Sequence, residues 1–137
     1  MAGIVPAVVT VTFSCTTNAG SSFDRAPVTL VKVLELAAGH PKYRALLAGL
    51  PVAGFSGTLS AGESVFSGIS GAALGSVRAK TGNLGTVTSL AGLAYDKSGG
   101  VLVFALMADQ VPSAGMLDEA AAAIDAAASA LAGCGCR

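Results

Sequence analysis

A chain of 137 residues is enough for one domain, but 53% of it is hydrophobic and only 12% charged, against about 45–50% and 25% in ordinary globular chains. Its formal net charge is zero and its Lys and Arg residues are nowhere clustered, which argues against a nucleic-acid partner, where a basic patch is expected. So few charges cannot cover a normal surface: either the exterior is unusually dry, or some apolar surface meets another segment or chain.

Residues 5–13 are β-branched and partly alternating, which predicts a short strand. A turn-rich stretch, Ser14 to Ser22, follows. No signal peptide is expected, since the first basic residue is Arg25 and Pro6 interrupts the apolar start. Thr12-Phe13-Ser14-Cys15 has the outline of a lipidation box without the basic start that should precede it. No run of 18 or more apolar residues occurs, so no membrane span is expected. The three cysteines, Cys15, Cys134 and Cys136, lack the spacing of a zinc site. A Cys15 bridge to the tail suits an oxidising compartment, and a tail left reduced or paired elsewhere is the alternative.

Asp24 is placed to cap a helix in which an early Pro27 is tolerated. Val28, Val31, Val33, Leu34 and Leu36 are the expected buried stripe, and Ala37-Ala38-Gly39 ends it. A shorter helix is expected from Pro41, with Tyr43, Leu46, Leu47 and Leu50 inward and Gly49 and Pro51 as its stop. His40, the lone histidine, falls at the junction as a cap or loop residue. No Gly-x-Ser-x-Gly elbow accompanies it, so it is not half of a serine triad. Residues 53–75 are rich in Gly and Ser without internal period and read as a long loop.

Three strand-like runs come next, at hairpin distance: Ser76 to Leu84, Thr86 to Tyr95 and Val101 to Ala108. Asn83-Leu84-Gly85 is the expected first turn and Asp96 to Gly100 the second, which implies an antiparallel meander. Ser113 is placed to cap an alanine-rich helix ended by Gly133. Its Leu117, Ile124 and Leu131, flanked by Ala120, Ala121, Ala127 and Ala128, form a flat face suited to a sheet. Asp118 and Glu119 are expected in its first turn, where they suit the helix dipole.

The first of these strands carries Lys80-Thr81-Gly82. Alone that triplet is a weak signal, and an outward Lys on a strand is usually just solvated. Its setting is more specific. Val77-Arg78-Ala79-Lys80-Thr81-Gly82-Asn83-Leu84, Val87, Ser89-Leu90-Ala91-Gly92-Leu93, Val103-Phe104-Ala105-Leu106-Met107 and Phe55-Ser56-Gly57-Thr58-Leu59 occur in an order that resembles the D-alanyl-D-alanine carboxypeptidases of the penicillin-binding protein and serine β-lactamase superfamily. The likeness spans residues 24–136. Family members carry an Asp-x-Ser-Gly-Leu-Ser-like stretch near its start, where this chain has Thr17-Asn18-Ala19-Gly20-Ser21-Ser22.

The resemblance implies an α/β (α+β) class and a transpeptidase-like three-layer fold, with an antiparallel sheet flanked by helices. Residues 1–137 would be the C-terminal part of one such domain. It implies acyl transfer on peptidoglycan stem peptides ending in D-Ala-D-Ala, at the cell envelope, with β-lactams acylating the same serine in a full-length parent. Lys80 would supply positive charge and the Thr81 hydroxyl would donate to the substrate carboxylate. Gly82 would allow close approach, and the Asn83 backbone N–H would serve the oxyanion hole. No metal or organic cofactor is implied.

The other expected motifs, Ser-x-x-Lys and Ser-x-Asn, are absent from these residues, so the nucleophile is expected outside this chain. Thr29-Leu30-Val31-Lys32 has the spacing but lies on a packing helix. A non-catalytic remnant that binds only peptide or another chain is the rival reading, and a β-lactamase or esterase of the same fold is a second. The apolar run 101–107 would be an open sheet edge, prone to self-association unless something such as Val8 to Phe13 fills it.

Overall fold

The computed structural model describes residues 7–8, 25–60 and 71–135. In chain order these form β1 (Ala7–Val8), α1 (Ala26–Gly39), a 3-10 turn (Pro41–Tyr43), α2 (Arg44–Ala48) and a second 3-10 turn (Gly57–Leu59). The strands β2 (Val77–Leu84), β3 (Val87–Tyr95) and β4 (Val101–Ala108) follow, and α3 (Ala114–Gly133) closes the order.

The sheet has the order β1-β4-β3-β2. Its last three strands are the expected antiparallel meander, with Ala79 opposite Gly92 and Gly92 opposite Phe104. Asn83 and Leu84 stay in β2, with Leu84 opposite Val87, so the first turn is Gly85-Thr86 rather than Asn83-Leu84-Gly85. The Asp96–Gly100 loop lies where expected. The Asp96 carboxylate accepts from the Ser98 and Gly100 amides at 2.8 and 2.7 Å and closes it.

Side-chain alternation splits the core into two layers. On one face, Val77, Ala79, Leu90, Ala94, Phe104 and Leu106 pack against Ile124, Ala128 and Ala132 of α3. On the other, Leu93 and Val103 pack against Leu34 of α1, with Leu47 and Leu50 beside them. The order is therefore helix, sheet, helix. With both faces covered, β4 is apolar at every position from Val101 to Ala108 instead of alternating. Each fully buried Leu or Phe in these layers contributes about 1.5–3 kcal/mol.

Helix α1 differs from the expected stripe. Its buried residues are Pro27, Val31, Leu34 and Ala37, while Val28, Val33 and Leu36 are exposed, Leu36 by 56%. Nearly every position of α1 is apolar, so hydrophobicity alone cannot choose the inward face. Packing against the sheet chooses it, and the buried residues fall three and four apart from Pro27. Tyr43 and Leu46 are likewise exposed, not inward. The surplus apolar surface implied by the composition is thus gathered partly on the outer side of α1 and α2.

Asp24 lies outside the described residues, and Arg25 stands at the N-cap of α1. His40 is its C-cap, donating its backbone N–H to the Leu36 carbonyl at 3.1 Å. Ser113 does occupy the N-cap of α3, though its hydroxyl makes no cap hydrogen bond. Because α3 begins at Ala114, Asp118 and Glu119 fall in its second turn, and no acidic residue lies in the first. The face of α3 turned to the sheet also buries Asp125 and Ser129.

Of the predicted strand 5–13, Ala7 and Val8 pair in parallel with Leu102 and Val103, and the rest lies outside the described residues, as do Ser14 to Ser22. Cys134 is in a disulfide, and the two other cysteines, Cys15 and Cys136, also lie outside. No described helix is long and apolar enough to cross a membrane.

Gly92 marks the tightest point of the sheet. A Cβ there would lie 2.0 Å from the Arg78 carbonyl oxygen and 2.6 Å from Ala79 Cα. Gly92→Ala is expected to lower stability by about 3 kcal/mol or prevent folding, because neither backbone can yield. Urea unfolding of the variant beside the parent chain checks this.

Candidate functional site

The segment before β2 sets which of its groups face outward. Ala53 donates its N–H to the Val77 carbonyl at 2.9 Å, and Ala79 donates to the Pro51 carbonyl at 3.0 Å. Tyr95, on the other side, donates to the Ser76 carbonyl at 2.9 Å. Odd-numbered residues of β2 therefore aim their backbone groups away from β3, and even-numbered residues aim theirs at it. The 51–53 pairing stops at Ala79. From Thr81 on the outer edge is open among the described residues, and the N–H and C=O of Thr81 and Asn83 project from it.

Each predicted site residue lies on this short edge. Lys80 is exposed, and its side chain turns to the edge, where Nζ donates to the Thr81 carbonyl at 2.9 Å and to Thr81 Oγ1 at 3.2 Å. Its ammonium thus sits beside the open amides instead of pointing into solvent away from them. Thr81 is half-buried, and its hydroxyl donates to Thr58 Oγ1 at 2.9 Å. Asn83 is exposed, and its Oδ1 accepts from the Thr88 hydroxyl at 2.7 Å.

Gly82 has a local reason to be glycine. It faces the α1 side, where an added Cβ would lie 2.7 Å from Ser89 Oγ. That hydroxyl donates to the Gly82 carbonyl at 3.0 Å. The absent side chain makes room for the neighbouring strand, so close approach at Gly82 is first a matter of β3.

Two residues that sequence reasoning did not select take part here, Thr58 and Thr88. Thr88 lies directly opposite Asn83, and it is found once the turn is placed at Gly85-Thr86. Putting the turn one residue pair early breaks that register. Thr58 comes from a turn 23 residues away, and no periodicity connects it to β2.

The rejected candidates are also accounted for. Thr29 donates its hydroxyl to the Arg25 carbonyl at 3.0 Å on an exposed helix surface, far in role from a nucleophile beside Lys32. The His40 ring stands 5.4 Å from that of Tyr43, centroid to centroid. No three His, Cys, Asp or Glu side chains among the described residues are grouped to hold a metal ion.

What the edge can do follows from these parts. It offers two outward amides, a fixed hydroxyl and one cation to an extended chain that ends in a carboxylate. Thr88→Val keeps the buried shape but removes the donor to Asn83. The variant is expected to lose about 1 kcal/mol in urea unfolding and to free the Asn83 side-chain amide, seen as sharpened, shifted NH2 resonances.

Comparison with known proteins finds relatives for this chain. The model of the D-Ala-D-Ala carboxypeptidase 3 (S13) family matches residues 21–131. Carboxypeptidase DacB of Mycolicibacterium smegmatis is 42% identical over 123 residues, covering 87% of this chain and 25% of that protein. Carboxypeptidase Rv3627c of Mycobacterium tuberculosis is 40% identical over 111 residues, 79% of this chain and 23% of its own length. Among solved structures, penicillin binding protein 4 (dacB) from Haemophilus influenzae is 36% identical with a TM-score of 0.48, over 56% of this chain and 16% of that one. The chain spans about a quarter of the length of the curated relatives it matches. With the family model covering most of its residues, the chain belongs to the D-Ala-D-Ala carboxypeptidase 3 (S13) family.

Proposed function

We propose that this chain supplies the substrate-binding strand of a serine-type D-alanyl-D-alanine carboxypeptidase or endopeptidase that acts on peptidoglycan stem peptides. The observation that carries the reading is the outer edge of β2 at Thr81 and Asn83, open among the described residues, with the Lys80 ammonium held beside it. In this reading residues 1–137 are the C-terminal part of one transpeptidase-like domain, working on the extracytoplasmic side of the envelope.

The chemistry is acyl transfer. A serine supplied outside these residues adds to the carbonyl of the penultimate D-Ala, and the Asn83 N–H stabilises the oxyanion that forms. Loss of such a donor costs about 10²–10³ in rate in the best-studied hydrolases. The peptide bond then breaks, the terminal D-Ala leaves with a proton, and water releases the acyl group from the serine. Lys80 raises the positive potential where the substrate carboxylate docks, and the Thr81 hydroxyl donates to that carboxylate. β-Lactams would acylate the same serine in a full-length parent.

A binding-only chain is the second reading. It is favoured by the absence of Ser-x-x-Lys and Ser-x-Asn from the sequence. A partner strand is also part of the proposal. β1 pairs only with Leu102 and Val103, so the outer edge of β4 beyond them has no partner among the described residues. The rest of a parent chain or a second copy of this one would fill it.

Titration of the chain with N-acetyl-D-Ala-D-Ala, followed by amide NMR, tests the reading. Saturable shifts at Thr81 and Asn83 are expected, and none with N-acetyl-L-Ala-L-Ala. Equal response to both peptides, or shifts elsewhere only, would overturn it. Incubation with a labelled penicillin is expected to leave the intact mass unchanged, whereas stoichiometric acylation would place a nucleophile within this chain. In a full-length parent, Thr81→Val is expected to cost about 1.5–3 kcal/mol on free-carboxylate substrates and less on amide-capped ones.

A further inference from the structure

The segment Phe55 to Leu59 has no part in the reading above, yet its Thr58 touches the site. Thr81 Oγ1 donates to Thr58 Oγ1 at 2.9 Å while accepting from Lys80 Nζ at 3.2 Å. We propose that Thr58 is a positioning residue that sets the direction of the Thr81 hydroxyl and thereby sharpens recognition of a substrate's terminal carboxylate; the inference rests on reading the Thr81 edge as the carboxylate-binding strand.

The turn that carries Thr58 is fixed from several sides. Leu59 is fully buried in the α3-side core, and its carbonyl accepts the Gly54 N–H at 2.7 Å. Ser56 Oγ accepts the Val52 N–H at 2.9 Å. Gly57 has φ 56°, and an added Cβ would lie 2.9 Å from Pro51 Cγ, so this turn has a conformation and a fit that only glycine supplies. Pro51 is also the residue whose carbonyl accepts from Ala79. One residue therefore ties β2 and the Thr58 turn together, and the distance between Thr58 and Thr81 is built into the backbone.

The hydroxyl pair gives this geometry a chemical use. Each hydroxyl has one proton to give and lone pairs to accept. With the edge empty, Thr81 gives its proton to Thr58. When a carboxylate docks, Thr58 can donate to Thr81 Oγ1 in turn, which releases the Thr81 proton to the carboxylate. The pair reverses and neither hydroxyl loses a partner. Without Thr58, the Thr81 hydroxyl is free to rotate, and ordering it counts against binding.

A purely structural role, stapling the turn to β2, predicts no preference between ligands. The test compares N-acetyl-D-Ala-D-Ala with its C-terminal amide, each titrated into the chain and into Thr58→Val and Thr58→Ser, with NMR shifts at Thr81 and Asn83 as the readout. Thr58→Val is expected to bind the free-carboxylate peptide about 3–10-fold more weakly, the value of one net hydrogen bond, with a smaller loss on the amide. Thr58→Ser is expected to restore the preference. Equal losses on both ligands, or no loss, would show that Thr58 only braces the turn. If the parent chain binds neither peptide, the carboxylate-strand reading itself falls and takes this inference with it. Circular dichroism reports whether each variant folds, and Thr58→Ala replaces Thr58→Val should the latter not fold.

Discussion

Two backbone hydrogen bonds, Ala53 to Val77 and Ala79 to Pro51, decide what the Lys-Thr-Gly strand presents. They occupy the outer edge of β2 at its start and end before its motif, so among the described residues this edge strand is half covered and half open. They also fix the phase of the strand. Because pairing alternates along β2, the residues that follow in the same phase, Thr81 and Asn83, must face outward. Lys80 and Gly82 are kept from this edge because the ladder with β3 takes their backbone groups. Which amide is available for chemistry is thus settled several residues away from it.

The sheet behind this edge is tight because its small residues are placed where strands cross. Ala79 lies opposite Gly92, which lies opposite Phe104. A side chain at Gly92 would meet the backbone of Arg78 and the side chain of Ala79, so β2 can lie this close to β3 only at a glycine. The alanines of α3 extend the same logic to the helix layer, since Ala128 and Ala132 let the helix lie close to the strands. Stability and site geometry therefore share one cause. A strand that sits this close to its neighbour has little freedom to shift its register.

Much of this was legible in the sequence, and the misses have physical causes. Apolar, strand-favouring runs separated by short polar loops are a strong local signal, and β3, β4 and the Asp96–Gly100 loop lie where those runs and turn residues put them. The Lys-Thr-Gly strand was legible for the same reason and through its resemblance to a known family. The inward face of α1 was not. In a helix with Val28, Leu30, Val31, Val33, Leu34 and Leu36, apolar character surrounds the axis, and only tertiary packing selects Val31 and Leu34 over Val33 and Leu36. The first turn was read early because Asn and Gly favour turns, whereas here Asn83 is held in the strand by Thr88 on the facing strand. Thr58 could not be found by any local rule, because its contact to Thr81 spans 23 residues.

The far end of the sheet has a fastening of its own. Lys97, in the β3–β4 loop, donates its N–H to the Cys134 carbonyl at 3.0 Å, and Cys134 is itself in a disulfide. From Thr88 to Tyr95, where β3 ends beside this loop, the strand runs seven residues, about 23 Å. A mechanical load applied at the C-terminal end of α3 reaches the hairpin at this loop through that backbone hydrogen bond. Lys80 pairs with Ala91 in the middle of β3, so the first contact to take such a load lies several residues from the motif.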